Sequence, residues 1–208
     1  DAAALEFADT DKFIQIAESY TFPYEWGEYN ILVLPPSFPY GGMENPCLTF
    51  ATPSLIAGDK SLANVIAHEI SHSWSGNLVT MSSWSDFWLN EGFTMFLQRK
   101  IDEEMFNIDV AKVPAQIGYF TLQEKIATFG ASHDFTSLHP YLVGVNPDDA
   151  FSTIPYEKGY NFLYFLEQII NKQAGKDLFK LILRGYFTKF KYQSITYMDF
   201  KTFLEEQL

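Results

Sequence analysis

The segment His68-Glu69-Ile70-Ser71-His72 restricts the possible folds of this chain more than any other feature. Residues four apart on a helix lie on one face, roughly 5–6 Å apart at Cβ, so His68 and His72 can offer two imidazoles to one metal ion. The apolar pattern of residues 61–74 predicts such a helix. A hydrolytic zinc site needs three N or O ligands and an open position for water, so another element must supply a third ligand.

Glu91, in the segment Asn90-Glu91-Gly92, is the candidate third ligand. The residues between His72 and Glu91 are enough to finish one helix, cross a loop and start a second helix packed against it. Glu69 faces a similar direction without matching the ligand geometry, so we expect it to act as a base. A metal ion lowers the pKa of its water from about 15.7 towards ~7, and a neighbouring carboxylate can accept the proton. These residues therefore predict hydrolysis of an amide bond.

The acidic composition argues against some classes of partner. The chain has 26 Asp and Glu against 14 Lys and Arg, which gives a net charge of −12. This charge repels a phosphate backbone, attracts an amine terminus and favours solubility, so we expect no nucleic-acid partner. Cys47 is the only cysteine, and the sequence has no Asn-x-Ser/Thr acceptor, which favours a cytoplasmic protein. We expect no membrane partner, because neither a signal peptide nor an apolar run of ~18 residues is present.

The remaining sequence predicts an α+β fold in a single domain. After an opening helix at residues 7–19, strands are expected at residues 29–34, 40–45 and 47–51. The strand at residues 40–45 is placed at a sheet edge, and Ser61 is a candidate N-cap for the helix that follows. Further helices are expected at residues 85–104, 116–129, 155–175, 177–186 and 196–208. The predicted organisation is a small, mostly β lobe with a mixed sheet (residues 1–60) and a mostly helical lobe (residues 61–208).

Some residues keep two interpretations when they are considered on their own. Gly41-Gly42 fits an ordinary turn, or a place where another backbone approaches closely. Tyr156, beside Pro155 at a predicted helix start, fits a core or capping tyrosine, or a hydroxyl that hydrogen-bonds an oxyanion. His133 and His139 lack carboxylates at ligand spacing and are interpreted as solvated loop residues.

The chain resembles the gluzincin aminopeptidases in three places: the His-Glu-x-x-His segment with Glu91, Gly41-Gly42-Met43-Glu44-Asn45, and Pro155-Tyr156-Glu157-Lys158-Gly159. Residues 35–46 are most similar to the leukotriene A4 hydrolase and aminopeptidase B branch. The resemblance implies a thermolysin-like zinc metallopeptidase domain. It also implies site roles: one zinc ion held by His68, His72 and Glu91, Glu69 as general base, and Tyr156 as the hydroxyl that stabilises the oxyanion.

The resemblance further implies how a substrate binds. Glu44 would bind the free α-amine of a peptide, while the backbone of Tyr40, Gly41, Gly42 and Met43 would pair with that peptide as an added strand. The expected partner is therefore a peptide with a free N-terminus. The N-terminal β domain and C-terminal helical domain of the family have no counterpart in these 208 residues, so we expect a catalytic domain alone.

Three positions bear on distinctions within the family. Asp148 matches an aspartate that the branch associates with epoxide hydrolysis, although it also fits a solvated turn residue. Phe151 replaces a tyrosine that lies close to the lipid substrate in that branch. Gln98 stands where the family often has an acidic residue, and its amide can still accept a hydrogen bond from a ligand histidine. Three functions stay open: a zinc aminopeptidase, an epoxide hydrolase acting on a lipid, and a zinc-binding piece that is inactive without further domains.

Overall fold

The chain folds into helices packed around a long central pair, with two small sheets beside them. The computed structural model describes residues 2–174 and 177–208. The helices in these ranges are α1 (Ala2–Glu6), α2 (Thr10–Tyr20), α3 (Asn64–Ser71), α4 (Phe87–Met105), α5 (Ile108–Phe129), α6 (Pro147–Ala150), α7 (Ile154–Ala174), α8 (Leu178–Phe190) and α9 (Tyr197–Gln207). The strands are β1 (Asn30–Val33), β2 (Gly42–Met43), β3 (Leu48–Ala51), β4 (Val79–Met81) and β5 (Gln193–Ile195).

The first sheet confirms the predicted mixed sheet and its edge strand. Its order is β1-β3-β2, with β1 parallel and β2 antiparallel to β3. Gly42 lies opposite Ala51, and β2 forms one edge. Only Gly42–Met43 of the predicted strand at residues 40–45 pairs as a strand. The second sheet, in which β4 and β5 pair in parallel, was not expected from the sequence.

The central pair consists of α4 and α7. Helix α4 is buried on almost all sides, as is usual for a helix whose apolar residues are not confined to one face. A Cβ atom at Gly92 of α4 would lie 2.8 Å from the Cα atom of Gly159 of α7, so the two backbones are in direct contact. Helix α3 packs against α4 on the other side. This arrangement brings the His-Glu-x-x-His segment and Glu91 to the same place.

The start of the chain differs from the prediction. The helix expected at residues 7–19 is α2, which begins at Thr10 and not at Phe7, and the short helix α1 precedes it. Residues 7–9 form a turn, in which Thr10 bonds the carbonyl of Phe7 through both its backbone N–H and its hydroxyl, at 3.1 and 2.7 Å. The prediction that residues 1–60 are mostly β-structure is also wrong, since α1 and α2 hold more of these residues than the three short strands do.

The predicted starts of two helices, α3 and α5, are wrong. Ser61 is not an N-cap, because its backbone N–H donates to Asp59 Oδ1 in a local turn and α3 begins only at Asn64. Helix α5 begins two turns before the predicted residue 116, capped by Asn107, and it contains Pro114. A proline inside a helix removes one backbone donor but does not always end the helix.

In the last part of the chain, the structure agrees better with the helices predicted from the sequence. Gly130 ends α5 with a positive φ of 93°, as predicted. The capping box of Thr196 and Asp199 at the start of α9 is also confirmed. Helix α8 continues to Phe190, beyond residue 186. The predicted end of the preceding helix near Gly175 lies outside the described residues. In the parts of the chain that the structure describes, no helix is both long and apolar enough to cross a bilayer.

Candidate active site

The two histidines lie at the C-terminal end of α3. His68 is in the last turn of that helix and His72 caps it. Their ring centroids are 4.8 Å apart and their planes are almost perpendicular. The two Nε2 atoms face each other at 3.2 Å. The spacing of four residues therefore places both imidazoles at one point, as the sequence predicted.

Helix α4 brings Glu91 to the same point. Its Oε2 atom lies 3.4 Å from His68 Nε2 and 3.3 Å from His72 Nε2. Within residues 2–174 and 177–208 this buried oxygen has no hydrogen-bond partner. Four ligands arranged tetrahedrally at ~2.0–2.2 Å from zinc lie about 3.3–3.5 Å from one another. The three atoms therefore have the spacing of three ligands of one zinc ion.

Hydrogen bonds orient both imidazole rings. His72 Nδ1 donates to the Ser75 carbonyl at 2.8 Å and lies 3.1 Å from the Thr94 hydroxyl. His68 Nδ1 lies 2.9 Å from the Gln98 amide oxygen, which can only accept. With the protons on Nδ1, the lone pairs of both Nε2 atoms point to the same place and can bind one metal ion. The expected contact between Gln98 and a ligand histidine is present.

The titratable groups of the cluster are strongly perturbed. Burial opposes charge on both His72 and Glu91, but their mutual attraction raises the pKa of His72 to about 10 and lowers that of Glu91 to about 2. A proton on His72 and a metal ion thus compete for one site. Burial raises the pKa of the Glu69 carboxyl to about 7, although the nearby imidazoles oppose this shift. Glu69 can therefore exchange a proton near neutral pH.

The edge strand β2 lies against the carboxylate of Glu69. A Cβ atom at Gly42 would be 2.3 Å from Glu69 Oε1, so only glycine allows this approach. Two residues further along the chain, Glu44 Oε1 is 4.0 Å from His72 Nδ1. Asn77 holds the segment by donating to the Glu44 backbone carbonyl at 2.8 Å. Gly42 therefore leaves room for the Glu69 side chain, and the approach of another backbone to Gly41-Gly42 stays a prediction.

Tyr156 enters from the first turn of α7. Its ring is stacked on His68, with centroids 6.1 Å apart, and meets the edges of Phe87 and Phe151. Burial raises the pKa of the Tyr156 hydroxyl well above its usual range, and the carboxylate of Glu91 raises it further. The hydroxyl therefore stays protonated and can donate a hydrogen bond at neutral pH.

A cleft of about 840 Å³ contains all the predicted site residues. Tyr40, Gly41, Gly42, Met43 and Glu44 form one wall. The opposite wall includes Asp148, Phe151 and Tyr156, and the histidines, Glu69 and Glu91 form the floor. Asp148 is exposed in the short helix α6, where Asn146 caps its backbone N–H. The structure thus brings every one of these residues to a single cavity.

Several residues of the site were missed by sequence reasoning. Thr94 lies three positions after Glu91, so helical spacing could have placed it near the ligands. His139, interpreted as a solvated loop residue, contacts the buried Asp86 at 3.0 Å. The apolar part of the cleft could not be predicted from any short sequence pattern, because its residues come from distant segments. They are Met81, Trp84, Phe87, Trp88, Met95, Phe135, Leu138, Pro140 and Leu142.

Known proteins are similar to this chain over almost its whole length. Leukotriene A-4 hydrolase of Xenopus laevis is 50% identical over 204 residues, which are 98% of this chain and 33% of that protein. Leucine aminopeptidase 2 of Emericella nidulans is 52% identical over 197 residues, or 95% of this chain and 31% of that protein. The chain thus spans about a third of the length of these relatives.

Solved structures and a family model extend the comparison. Native leukotriene A4 hydrolase from Saccharomyces cerevisiae has a TM-score of 0.93 and 48% identity, over 99% of this chain and 32% of the other. An M1 zinc metallopeptidase from Deinococcus radiodurans, at 20% identity and a TM-score of 0.72 over 96% of this chain and 40% of the other, shares the fold. A model described as the peptidase family M1 domain matches residues 4–208. The chain therefore belongs to peptidase family M1.

Proposed function

We propose that this chain is the catalytic domain of a zinc-dependent aminopeptidase. The observation that carries the proposal is the triangle of His68, His72 and Glu91 ligand atoms beside the buried carboxylate of Glu69, in a cleft that also holds Glu44. Relatives named leukotriene A-4 hydrolase and leucine aminopeptidase support it. A thermolysin-like arrangement and a cytoplasmic location, the latter supported by the single cysteine, are parts of the same proposal.

The ligand set fits one zinc ion (Zn²⁺) per chain. Two imidazole nitrogens and one carboxylate oxygen are a common donor set of hydrolytic zinc sites, in which a fourth position stays open. Two observations support this fit: the Nε2 atoms of His68 and His72 face each other, and the buried Oε2 of Glu91 has no hydrogen-bond partner in the part of the chain that the structure describes. When bound, zinc polarises a carbonyl group and lowers the pKa of water.

The residues of the chain then supply proton transfer and charge stabilisation. Glu69, with its pKa near 7, accepts a proton from the attacking water and passes it to the leaving amine. Tyr156 keeps its proton and donates a hydrogen bond to the oxyanion that develops on the scissile carbonyl. Both side chains face the same cleft, so neither has to move far during the reaction.

Substrate selection follows from the wall formed by β2. Glu44 pairs with the α-amine of the substrate, and an internal peptide segment, which lacks this amine, would leave the carboxylate unpaired. The edge of the sheet near Tyr40, Gly41, Gly42 and Met43 can accept a peptide as an added strand. The apolar part of the cleft, with Phe87 and other large side chains, favours an apolar first residue such as leucine.

A panel of fluorogenic aminoacyl amides tests the proposal. We expect zinc-dependent turnover that a chelator abolishes and that is fastest for apolar first residues. Glu69→Gln should retain zinc but lose at least ~10²-fold in kcat. The same change at the exposed surface, Glu205→Gln, should leave kcat unchanged. Near-wild-type turnover by Glu69→Gln would contradict the proposed mechanism. If the zinc-loaded protein shows no turnover at all, the third function, a zinc-binding piece that is inactive without further domains, is favoured.

Epoxide hydrolysis of a lipid is a second candidate, since Asp148 lines the same cleft as the metal ligands. Its exposed carboxylate lies on the wall that holds Phe151 and the apolar residues, where a lipid would bind. Asp148→Asn should lower epoxide opening while peptide cleavage stays within twofold. If both reactions fall together, or if no epoxide is turned over, Asp148 has no separate role.

A further inference from the structure

A buried ion pair lies directly behind Tyr156. The guanidinium of Arg99 on α4 donates two parallel hydrogen bonds to the carboxylate of Glu157 on α7, at 3.0 and 2.8 Å. The two residues are only 4% and 8% exposed. Neither belongs to the metal ligands, and neither has a part in the chemistry proposed above. A bidentate pair fixes the relative orientation of two groups better than a single bond does.

Other contacts fix the pair itself. The Arg99 guanidinium lies 4.0 Å above the ring of Tyr160, and it reaches the carbonyl of Pro114 in α5 at 3.4 Å. A Cβ atom at Gly118 of α5 would overlap the Glu157 carboxylate, so α5 packs tightly on the pair. Three helices therefore meet at one charged contact, and the pair has little freedom to shift.

The pair connects the two sides of the candidate active site. Glu157 follows Tyr156 in the first turn of α7, and Arg99 lies two turns after Glu91 on α4. Fixing Glu157 on Arg99 therefore sets the first turn of α7 relative to the helix that carries a metal ligand. The ring contacts of Tyr156 with His68, Phe87 and Phe151 all involve side chains that line the cleft, whereas the ion pair fixes the backbone turn from which Tyr156 projects.

We propose that Arg99 and Glu157 are positioning residues that hold the Tyr156 hydroxyl at the place where the oxyanion develops. The proposal rests on the proposed function in one respect, the use of Tyr156 in catalysis. Its physical basis is the steep dependence of catalysis on geometry, because a mutation far from the reacting atoms that misplaces a catalytic group by about 1 Å can cost 10²-fold in rate. The ion pair acts through Tyr156 and does not touch substrate.

The chain offers a matched control on the same two helices. Lys100 of α4 pairs with Glu167 of α7 at 3.0 Å, one position further along α4 but ten residues further along α7. Breaking this second pair also removes an ion pair between α4 and α7, but it leaves the first turn of α7 in place. A purely structural role predicts similar effects for both pairs, whereas positioning predicts an effect on catalysis for the first pair alone.

Steady-state kinetics of the zinc-loaded protein form the first readout. Arg99→Lys keeps the charge but loses the bidentate geometry, and we expect kcat to fall at least tenfold with KM within twofold of wild type. The apolar double variant Arg99→Met/Glu157→Leu removes the buried charges and should show the same loss of kcat. Lys100→Met/Glu167→Leu should keep kcat within twofold. Wild-type kcat in folded Arg99→Lys, or an equal loss in the control pair, overturns the proposal.

Fluorine NMR gives a readout that needs no turnover. With 3-fluorotyrosine in place of tyrosine, the resonance of residue 156 is assigned by its loss in Tyr156→Phe. We expect this resonance to shift or broaden in Arg99→Lys and to stay unchanged in the Lys100/Glu167 control. If the wild-type protein cleaves no peptide, the proposed function fails while this measurement still decides the positioning. An unchanged resonance in folded Arg99→Lys contradicts the proposal.

Discussion

The floor of the cleft, formed by the histidines, Glu69 and Glu91, differs in burial from its rim, by which we mean the exposed residues of the two walls and the loop from Gly130 to α6. On the floor, His72 and Glu91 are 1% and 4% exposed and come from the end of α3 and from α4, and the Nδ1 atom of His72 is fixed by the Ser75 carbonyl. On the rim, Tyr40 and Phe151 are 59% and 57% exposed and lie outside regular elements. The geometry of the proposed metal ligands is therefore fixed by packing, whereas proposed substrate contacts such as Tyr40 lie on exposed segments outside helices and strands.

The rim also contains a fixed part. The stretch from Gly130 to α6 has little regular structure, yet Thr136 is buried and its carbonyl accepts a hydrogen bond from Lys158. His139 in the same stretch contacts Asp86. A loop with two such anchors can present apolar side chains to the cleft without being part of the core. Each prediction below changes a contact in the buried region or in the rim.

The largest effect is expected for Gly92→Ala, which disrupts the backbone contact between α4 and α7 beneath the floor of the cleft. The new Cβ atom would lie 2.8 Å from Gly159 Cα, and backbone cannot move aside as a side chain can. Helices α4 and α7 must separate, and overpacking of this kind costs about 3 kcal/mol of unfolding free energy. Urea unfolding followed by circular dichroism measures the loss.

Gly185→Ala is the matched control for that variant. Its Cβ atom would meet only the ring edge of Phe203 at 3.4 Å, and alanine stabilises a helix by up to ~1 kcal/mol relative to glycine. The unfolding free energy should therefore change by less than about 1 kcal/mol. An equal loss in both variants would mean that the close contact between α4 and α7 is not the cause of the destabilisation.

A pH-dependent prediction concerns Asp102, a buried acid on α4. Burial raises its pKa from 3.8 to about 6, against the opposing effect of Arg99. The folded chain therefore holds this proton more tightly than the unfolded chain, so the unfolding free energy falls as pH rises between about 4 and 6. Asp102→Asn should raise the unfolding free energy at pH 7 by up to about 3 kcal/mol, and the gain should vanish below pH 4.

Denaturant titrations at several pH values compare this variant with Asp109→Asn. Asp109 is exposed on α5, so Asp109→Asn is the control for the loss of one surface carboxylate. If Asp102→Asn is less stable than wild type at pH 7, its carboxylate makes a net favourable interaction with Arg99 and the sign of the prediction is wrong.

The contrast between floor and rim also explains what the sequence could predict. His68, His72 and Glu91 were found because helical spacing and a short interval determine where they lie. Helix α4 and the capping box of α9 follow from local patterns too. The roles of Tyr156 and Glu44 came from the resemblance, and they stay predictions.

Features that depend on distant contacts could not be predicted. Arg99 and Glu157 are 58 positions apart, and nothing near either residue indicates the other. The pairing of β4 with β5 joins two strands of three residues, too short for an alternating pattern. The extension of α5 across Pro114 depends on its packing against α4 and α7, which overrides the usual effect of proline.

A smaller effect is expected from Gln98→Glu, which changes the hydrogen-bond acceptor of His68, a proposed zinc ligand on the floor of the cleft. The amide oxygen of Gln98 lies 2.9 Å from His68 Nδ1, and a carboxylate there would make the imidazole a stronger donor to the metal. We expect zinc affinity to rise about tenfold. Competition with a fluorescent zinc chelator measures it, with exposed Gln193→Glu as control. Weaker zinc binding would show that the added negative charge does not support the ligand.

The smallest effect is expected on the rim, from Lys158→Met. The Lys158 ammonium donates to the Thr136 carbonyl at 2.7 Å, and its loss leaves that buried carbonyl without this donor. A hydrogen bond of this kind contributes about 1 kcal/mol, so the loop should open about fivefold more often. Hydrogen exchange followed by mass spectrometry should show faster exchange at residues 133–142 and no change in α3. Lys112→Met, at an exposed ion pair, serves as control. Unchanged exchange in the loop would show that other contacts hold the rim, and faster exchange in α3 would show that floor and rim are one cooperative unit.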